Sequence, residues 1–308
     1  MKNRIKSTLF FLLFTLAGMA QQDPQFSHDM LSHIAYNPGY AGSVNGVCAT
    51  AIHRLQWVGF DGGPTTTFFA VDAGIRPFGQ KGGIMLKIVS DKLGFESNSD
   101  LKLGYAHHFD VWDGDLGLGM DFGIVIKKIE GTWIFPEPSK GEVFPLNANV
   151  KTFDMDFGLF YTKGGFYGGL SASHLLSPTL ALSEKQSTQL RRHYFAVSGY
   201  KFEAFSPSLE VVPSILVKSD GSSFQFSINT NVIYNKKFWG GVTYRAGDSV
   251  IAMLGLELVN GLKLGYAYDV TTSEMGKVSN GTHELMLNYC FELSVPQFTH
   301  KYKSARFL

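Results

Sequence analysis

Hydrophobic and polar positions alternate with period two along most of the chain, and the clearest pair of segments closes it. Over 261–272, Leu262, Leu264, Tyr266 and Tyr268 fall on one face, and Lys263, Gly265, Ala267 and Asp269 on the other. Over 282–293, Leu285, Leu287, Tyr289, Phe291 and Leu293 alternate with Glu284, Met286, Asn288, Cys290 and Glu292. This alternation predicts β-strands with two unlike faces. A soluble sandwich also has one apolar face. Alternating segments of roughly ten residues, with aromatics near their ends and repeated to the end of the chain, describe a transmembrane barrel instead.

The same pattern predicts strands over 47–58, 65–76, 82–91, 100–110, 115–127, 152–163, 165–174, 193–202, 207–218, 222–234, 238–246 and 249–259. With the closing pair this makes about fourteen, an even number, as a single-chain outer-membrane barrel requires. Tight connections are expected at Asp113-Gly114, Lys163-Gly164, Asp220-Gly221, Asn235-Lys236 and Asn260-Gly261, and longer ones over 130–150, 175–192 and 271–281. With both termini in the periplasm, the long loops face outward from the cell. The expected fold is an all-β, up-and-down antiparallel transmembrane β-barrel over 46–293.

Charged residues are 17% of the chain, below the roughly 25% usual for soluble domains. The body of the chain has no apolar run of roughly 18 residues, so strands are the available way across a membrane. A net charge of +1 gives no footprint for nucleic acid. Lys2, Arg4 and Lys6 precede an apolar stretch over 8–17 and then Gly18-Met19-Ala20, which predicts a signal peptide over 1–20 cleaved after Ala20. Residues 21–45 lack periodicity. With Asp23-Pro24, Asn37-Pro38-Gly39 and the apolar Phe26, Met30, Ile34 and Tyr36, they read as a short helix or an irregular segment packing at or in the barrel mouth. Residues 294–308 form a basic periplasmic tail, in which Lys301, Lys303, Arg306 and Phe307 are candidates for contact with a periplasmic partner.

Arg54, Lys87, Lys102, Asp121, Lys127, Asp154, Asp156, Lys263, Asp269 and Glu284 are expected to face the lumen, as a salt-bridged filling in preference to a conducting pore. Cys48 opens the first strand and Cys290 lies near the end of the last, on the same face and toward the periplasmic rim. They are candidates for a disulfide in an oxidising compartment, and strand stagger decides whether they reach each other. Trp57, Trp112, Trp133, Tyr161, Tyr167 and Trp239 supply candidate interface anchors.

Catalysis and cofactors find little support. Ser279 and His283 lack an ordered third group, so no enzyme is expected. The nine histidines carry no metal-ligand spacing, and the adjacent His107 and His108 point to opposite faces of a strand. Gly62-Gly63-Pro64 is a turn with no helix after it, not a phosphate cradle.

The stretches QQDPQFSHDM (21–30), NPGYAGS (37–43), RLQWVGFDGGPTT (54–66), GGIMLKIVSDKLG (82–94), SASHLLSP (171–178), RRHYFAVSGY (191–200), PSILVK (213–218), YNKKFWGGVTYRAGDSVIAMLG (234–255) and the closing strand pair together resemble the PorP/SprF family. The similarity covers the mature chain in order. It implies an outer-membrane barrel of the Bacteroidetes type IX secretion and gliding-motility machinery, either a core secretion component or a dedicated partner of a surface adhesin. The implied partners are a secreted adhesin or other type IX cargo, periplasmic secretion components and outer-membrane lipid. A passive outer-membrane channel for small or hydrophobic solutes is the alternative.

Overall fold

The computed structural model describes residues 23–44, 46–131, 147–183, 187–204, 206–258 and 261–291. The expected signal peptide, Trp133, Leu293 and the tail with Lys301, Lys303, Arg306 and Phe307 lie outside them. Among the described residues no helix is long and apolar enough to cross a membrane.

Fourteen antiparallel strands close into one barrel. In chain order they are β1 Val47–Leu55, β2 Thr65–Ile75, β3 Gly82–Leu93, β4 Glu96–Val111, β5 Gly114–Glu130, β6 Asn147–Lys163 and β7 Phe166–Ser173. They continue with β8 His193–Tyr200, β9 Leu209–Ser219, β10 Phe224–Tyr234, β11 Phe238–Arg245, β12 Ser249–Glu257, β13 Leu262–Thr271 and β14 Thr282–Phe291. Each strand pairs with its neighbours in sequence, and β1 pairs with β14 from Val47↔Phe291 to Leu55↔His283. Closure gives every one of these strands a partner on both sides, the condition for β-structure in lipid, although residues 147–156 of β6 pair with β5 alone.

The alternating pattern explains the two faces. Leu103, Phe122, Phe153, Leu170, Val242, Leu254 and Leu285 stand exposed on the outside, while Asp121, Lys127, Asp154, Asp269 and Glu284 are buried inside. Two aromatics differ from the expected interface role. Tyr167 stacks on Phe160 inside the lumen, and Trp239 is buried there with its ring against Gly255, where a Cβ would lie 2.0 Å from the indole. Both sit on inward-facing register positions, and neighbouring glycines leave room for the rings.

β4, β5 and β6 run longer than the alternation predicts, starting at Glu96, ending at Glu130 and starting at Asn147. On the outward face their added pairs, such as Ser97↔Lys128 and Lys128↔Asn149, are polar. The ladder continues where the apolar outward face stops, so the hydrophobic signal ends before the strand does. β9 begins at Leu209, after the predicted Pro207.

The three long connections, 131–146, 174–192 and 272–281, all leave the rim opposite the one where β1 starts and β14 ends, the terminal rim. The tight turns at Trp112-Asp113, Gly164-Gly165 and Asn235-Lys236 lie at the terminal rim, while the Asp220 turn joins the long loops. Trp112 and Asp113 both have positive φ (50° and 58°), as do Asn235 and Lys236 (52° and 56°). This is the handedness that matches a two-residue hairpin to strand twist.

Candidate functional site

Residues 23–44 lie inside the barrel as three consecutive 3-10 turns, Asp29–Leu31, His33–Ala35 and Pro38–Tyr40. A longer helix does not form because Asn37 stands before a proline, which disfavours helical backbone, and instead caps the third turn through Gly39 N–H (2.9 Å). We call this segment the plug. It docks on one wall at β1, β13 and β14 and on the opposite wall at β5, β6 and β7.

At the first wall, Glu284 receives the backbone N–H of Ser27 (2.8 Å) and of His28 (2.9 Å), and lies 2.8 Å from His28 Nδ1. Arg54 Nη1 donates to Glu284 (3.1 Å) and to Ser27 Oγ (2.6 Å), and Nη2 donates to Asp269 (2.7 Å). Ser27 Oγ in turn donates to Asp269 (2.7 Å), and Arg245 donates to the Phe26 carbonyl (3.1 Å). Four lumen charges and the plug backbone thus form one buried network, in which each ion has a counter-ion and further hydrogen bonds, the condition for burying charge.

At the opposite wall the approach is backbone to backbone. Asn37 Nδ2 donates to the Leu159 carbonyl (2.9 Å). A Cβ on Gly117 would lie 2.1 Å from Gly39 O, and one on Gly119 would lie 2.3 Å from Pro38 O, so glycine alone lets the turn sit flush on the sheet. Apolar contacts fill the rest. Phe26 packs on Phe68 (ring centroids 5.3 Å), Tyr36 on Phe195 (5.5 Å) and Tyr40 on Phe160 (5.0 Å). Each large apolar side chain buried in this way contributes about 1.5–3 kcal/mol.

A second charged layer crosses β3 to β6. Lys87 lies 3.0 Å from both Asp121 and Asp156, and Lys102 lies 3.0 Å from Asp154 and 2.6 Å from Asp156. Lys127 pairs with Glu96 nearer the rim with the long loops. Lys263 faces inward like Asp269 but sits half-exposed at the terminal rim with Glu257 at 3.9 Å, outside both buried networks. Between the plug and that opposite rim remains a cavity of about 590 Å³, lined by Asp23, Gln25, Arg54, Asp91, Lys127, His193 and Arg245 among others.

Burial also moves the plug's own titrations. The buried Asp29 carboxyl is pushed up to about 7, and His33 is held down to about 4. Tyr36 is raised well above its ordinary value, mainly by burial.

At the seam, Cys48 and Cys290 are direct register partners (Cα–Cα 4.1 Å) and form a disulfide. Ser279 Oγ donates to the Met275 carbonyl (2.8 Å), whereas His283 Nδ1 contacts the Tyr266 hydroxyl (2.7 Å). His107 faces outward beside Tyr105, and His108 is buried against the Ala41 carbonyl (2.8 Å). The sequence had offered no sign of Ser27, His28, Asn37, His174 or His193 as site residues. Each has a partner more than 100 positions away (Glu284, Leu159 or Asp23), and only barrel closure and plug entry bring these together.

A closed barrel with an apolar exterior and a charged, occupied interior defines the chain as an outer-membrane β-barrel protein. Its fold is similar to that of the Ralstonia pickettii toluene transporter TbuX (TM-score 0.52, 12% identity, 85% of this chain and 94% of that one covered). It is also similar to the monoaromatic hydrocarbon channel CymD (TM-score 0.52, 10% identity, 85% and 93% covered). No curated protein matches the sequence. The family described as type IX secretion system membrane protein PorP/SprF matches residues 18–289, and the chain belongs to that family.

Proposed function

We propose that this barrel is a non-enzymatic outer-membrane anchor of the type IX secretion and gliding machinery, supporting secretion or surface retention of a partner such as an adhesin. Two observations support the reading together: membership of a secretion-system family, and a lumen crossed wall to wall by residues 23–44. A cargo polypeptide then engages the barrel from outside the lumen, at a rim or along a loop, and the short turns at the terminal rim face the periplasmic components, which the basic residues of 294–308 would also contact. Exposed backbone and loops at a rim suit docking of a β-rich segment.

The second reading is a passive channel for small or hydrophobic solutes. It is favoured by the cavity of about 590 Å³ and by the fold shared with a toluene transporter and a hydrocarbon channel. Mild-detergent affinity purification from native outer membranes separates the two, with the tag inserted between Glu130 and Asn147 so that the tail stays free. The anchor reading expects a large secreted protein or periplasmic secretion components at near-stoichiometric amounts. Recovery of the barrel alone would favour the channel.

A further inference from the structure

Where β7 ends and β8 begins, the head of the plug meets the wall at Asp23, His174 and His193. His174 Nε2 lies 3.0 Å from Asp23 Oδ1, and His193 Nδ1 lies 3.3 Å from Asp23 Oδ2. One ligand atom from each residue falls within 4.8 Å of the others. His193 is 2% exposed, yet neither of its ring nitrogens makes a hydrogen bond. A buried imidazole left without donor or acceptor costs free energy, and its Nδ1 points at the carboxylate.

We propose that these three side chains bind one divalent first-row transition ion, zinc being the simplest case. Two imidazoles and a carboxylate with an open fourth position are a common zinc ligand set. Behind His174, the Nδ1 side faces Asp154 at 2.5 Å. A carboxylate there fixes the tautomer that leaves Nε2 free for the metal and raises its basicity. A neighbouring group, Asp154, Asp156 and His174, also has metal-like spacing, but Lys102 Nζ already sits 3.0 Å from Asp154 and 2.6 Å from Asp156. An ammonium occupies that place, so the ion belongs on the Asp23 side. The site opens onto the cavity below the long loops, which gives the ion an entry path. A bound ion fastens the first residue of the plug to β7 and β8, a third attachment independent of the Glu284 and Gly117–Gly119 contacts. The assignment holds whichever reading of the partner is right.

The test is zinc titration of the full-length protein, purified without a polyhistidine tag and stripped with chelator, against a chromophoric competitor. Cobalt substitution then reports the coordination spectrum. Wild type binds one zinc per chain, and cobalt gives visible d–d bands of a low-coordinate nitrogen–oxygen site. Asp23→Asn and His193→Gln each weaken binding more than about 100-fold, while Asp154→Asn weakens it about 10–100-fold. Heat-modifiable migration on gels establishes that each variant is folded. Absence of saturable binding by wild type would overturn the site and leave Asp23 as an ion-pair partner of the imidazoles. So would zinc binding at wild-type affinity in folded Asp23→Asn and His193→Gln.

Discussion

Arg54 on β1 and Glu284 on β14 are opposite each other in the ladder that closes the barrel, and their side chains meet at 3.1 Å with almost no solvent on either. The same carboxylate accepts the Ser27 and His28 amides, so one residue holds both the seam and the plug. Glu284→Ala leaves Arg54 with only Asp269 as counter-ion, and two plug amides without an acceptor. The expected loss is about 3–5 kcal/mol, the cost of removing one partner from a buried ion pair. A thiol placed at the fully buried Ser32 reports it, because the described residues hold no free cysteine. Maleimide reacts with Ser32→Cys slowly in the wild-type background and at least tenfold faster with Glu284→Ala. Equal rates would contradict the shared anchor.

Gly119 tests the opposite wall. A Cβ at this position would stand 2.3 Å from the Pro38 carbonyl, so Gly119→Val cannot coexist with the seated third turn. The barrel ladder itself tolerates valine, a strand-favouring residue. Gly119→Val therefore folds as a heat-modifiable barrel but labels rapidly at Ser32→Cys. Loss of the barrel itself would contradict a role confined to the plug.

The Cys48–Cys290 disulfide spans 242 residues of sequence at positions already paired by the ladder. Boiled, oxidised protein should migrate faster on denaturing gels than reduced protein, and Cys48→Ser should abolish the difference. Two thiols reacting with alkylating agent in unreduced, denatured protein would contradict the bond.

Asp29 makes plug docking sensitive to pH. Burial raises its carboxyl from 3.8 to about 7, with Arg54, Arg245, Glu284 and Asp269 as the nearest charges. Because the docked state favours the protonated acid, its contribution is complete below about pH 4 and is lost as pH rises through about 7. Labelling of Ser32→Cys, corrected for reagent chemistry, should rise several-fold between about pH 5.5 and about pH 8. Asp29→Asn should flatten that rise. A pH profile unchanged by Asp29→Asn would remove this group from the account.

The barrel was legible because its physics is local. Most residues on a strand such as β5 show in their own chemistry whether they meet lipid or lumen, as Phe122 and Asp121 do, although Val125 is apolar and faces inward. The seam was legible in part: an up-and-down barrel must join first strand to last, which makes Cys48 and Cys290 candidates, and the register of that ladder, which the sequence does not carry, decides that they meet. What the sequence concealed depends on long-range register or on the plug's path. His174 and His193 are 19 positions apart at the ends of different strands, and Asp23 reaches them only through the lumen. Tyr167 and Trp239 carry ordinary interface chemistry, and their inward turn follows from strand phase and from space left by glycine. The outer parts of β4, β5 and β6 lose the alternation because their outward face turns polar there, with Ser97, Lys128 and Asn149 in place of apolar residues.

If residues 23–44 close the lumen, planar-bilayer conductance will show it. Wild-type protein should insert without a steady open channel, whereas a chain lacking residues 23–44 should give a stable conducting state. Steady conductance from wild type, unchanged by that deletion, would contradict the account and make the barrel a channel.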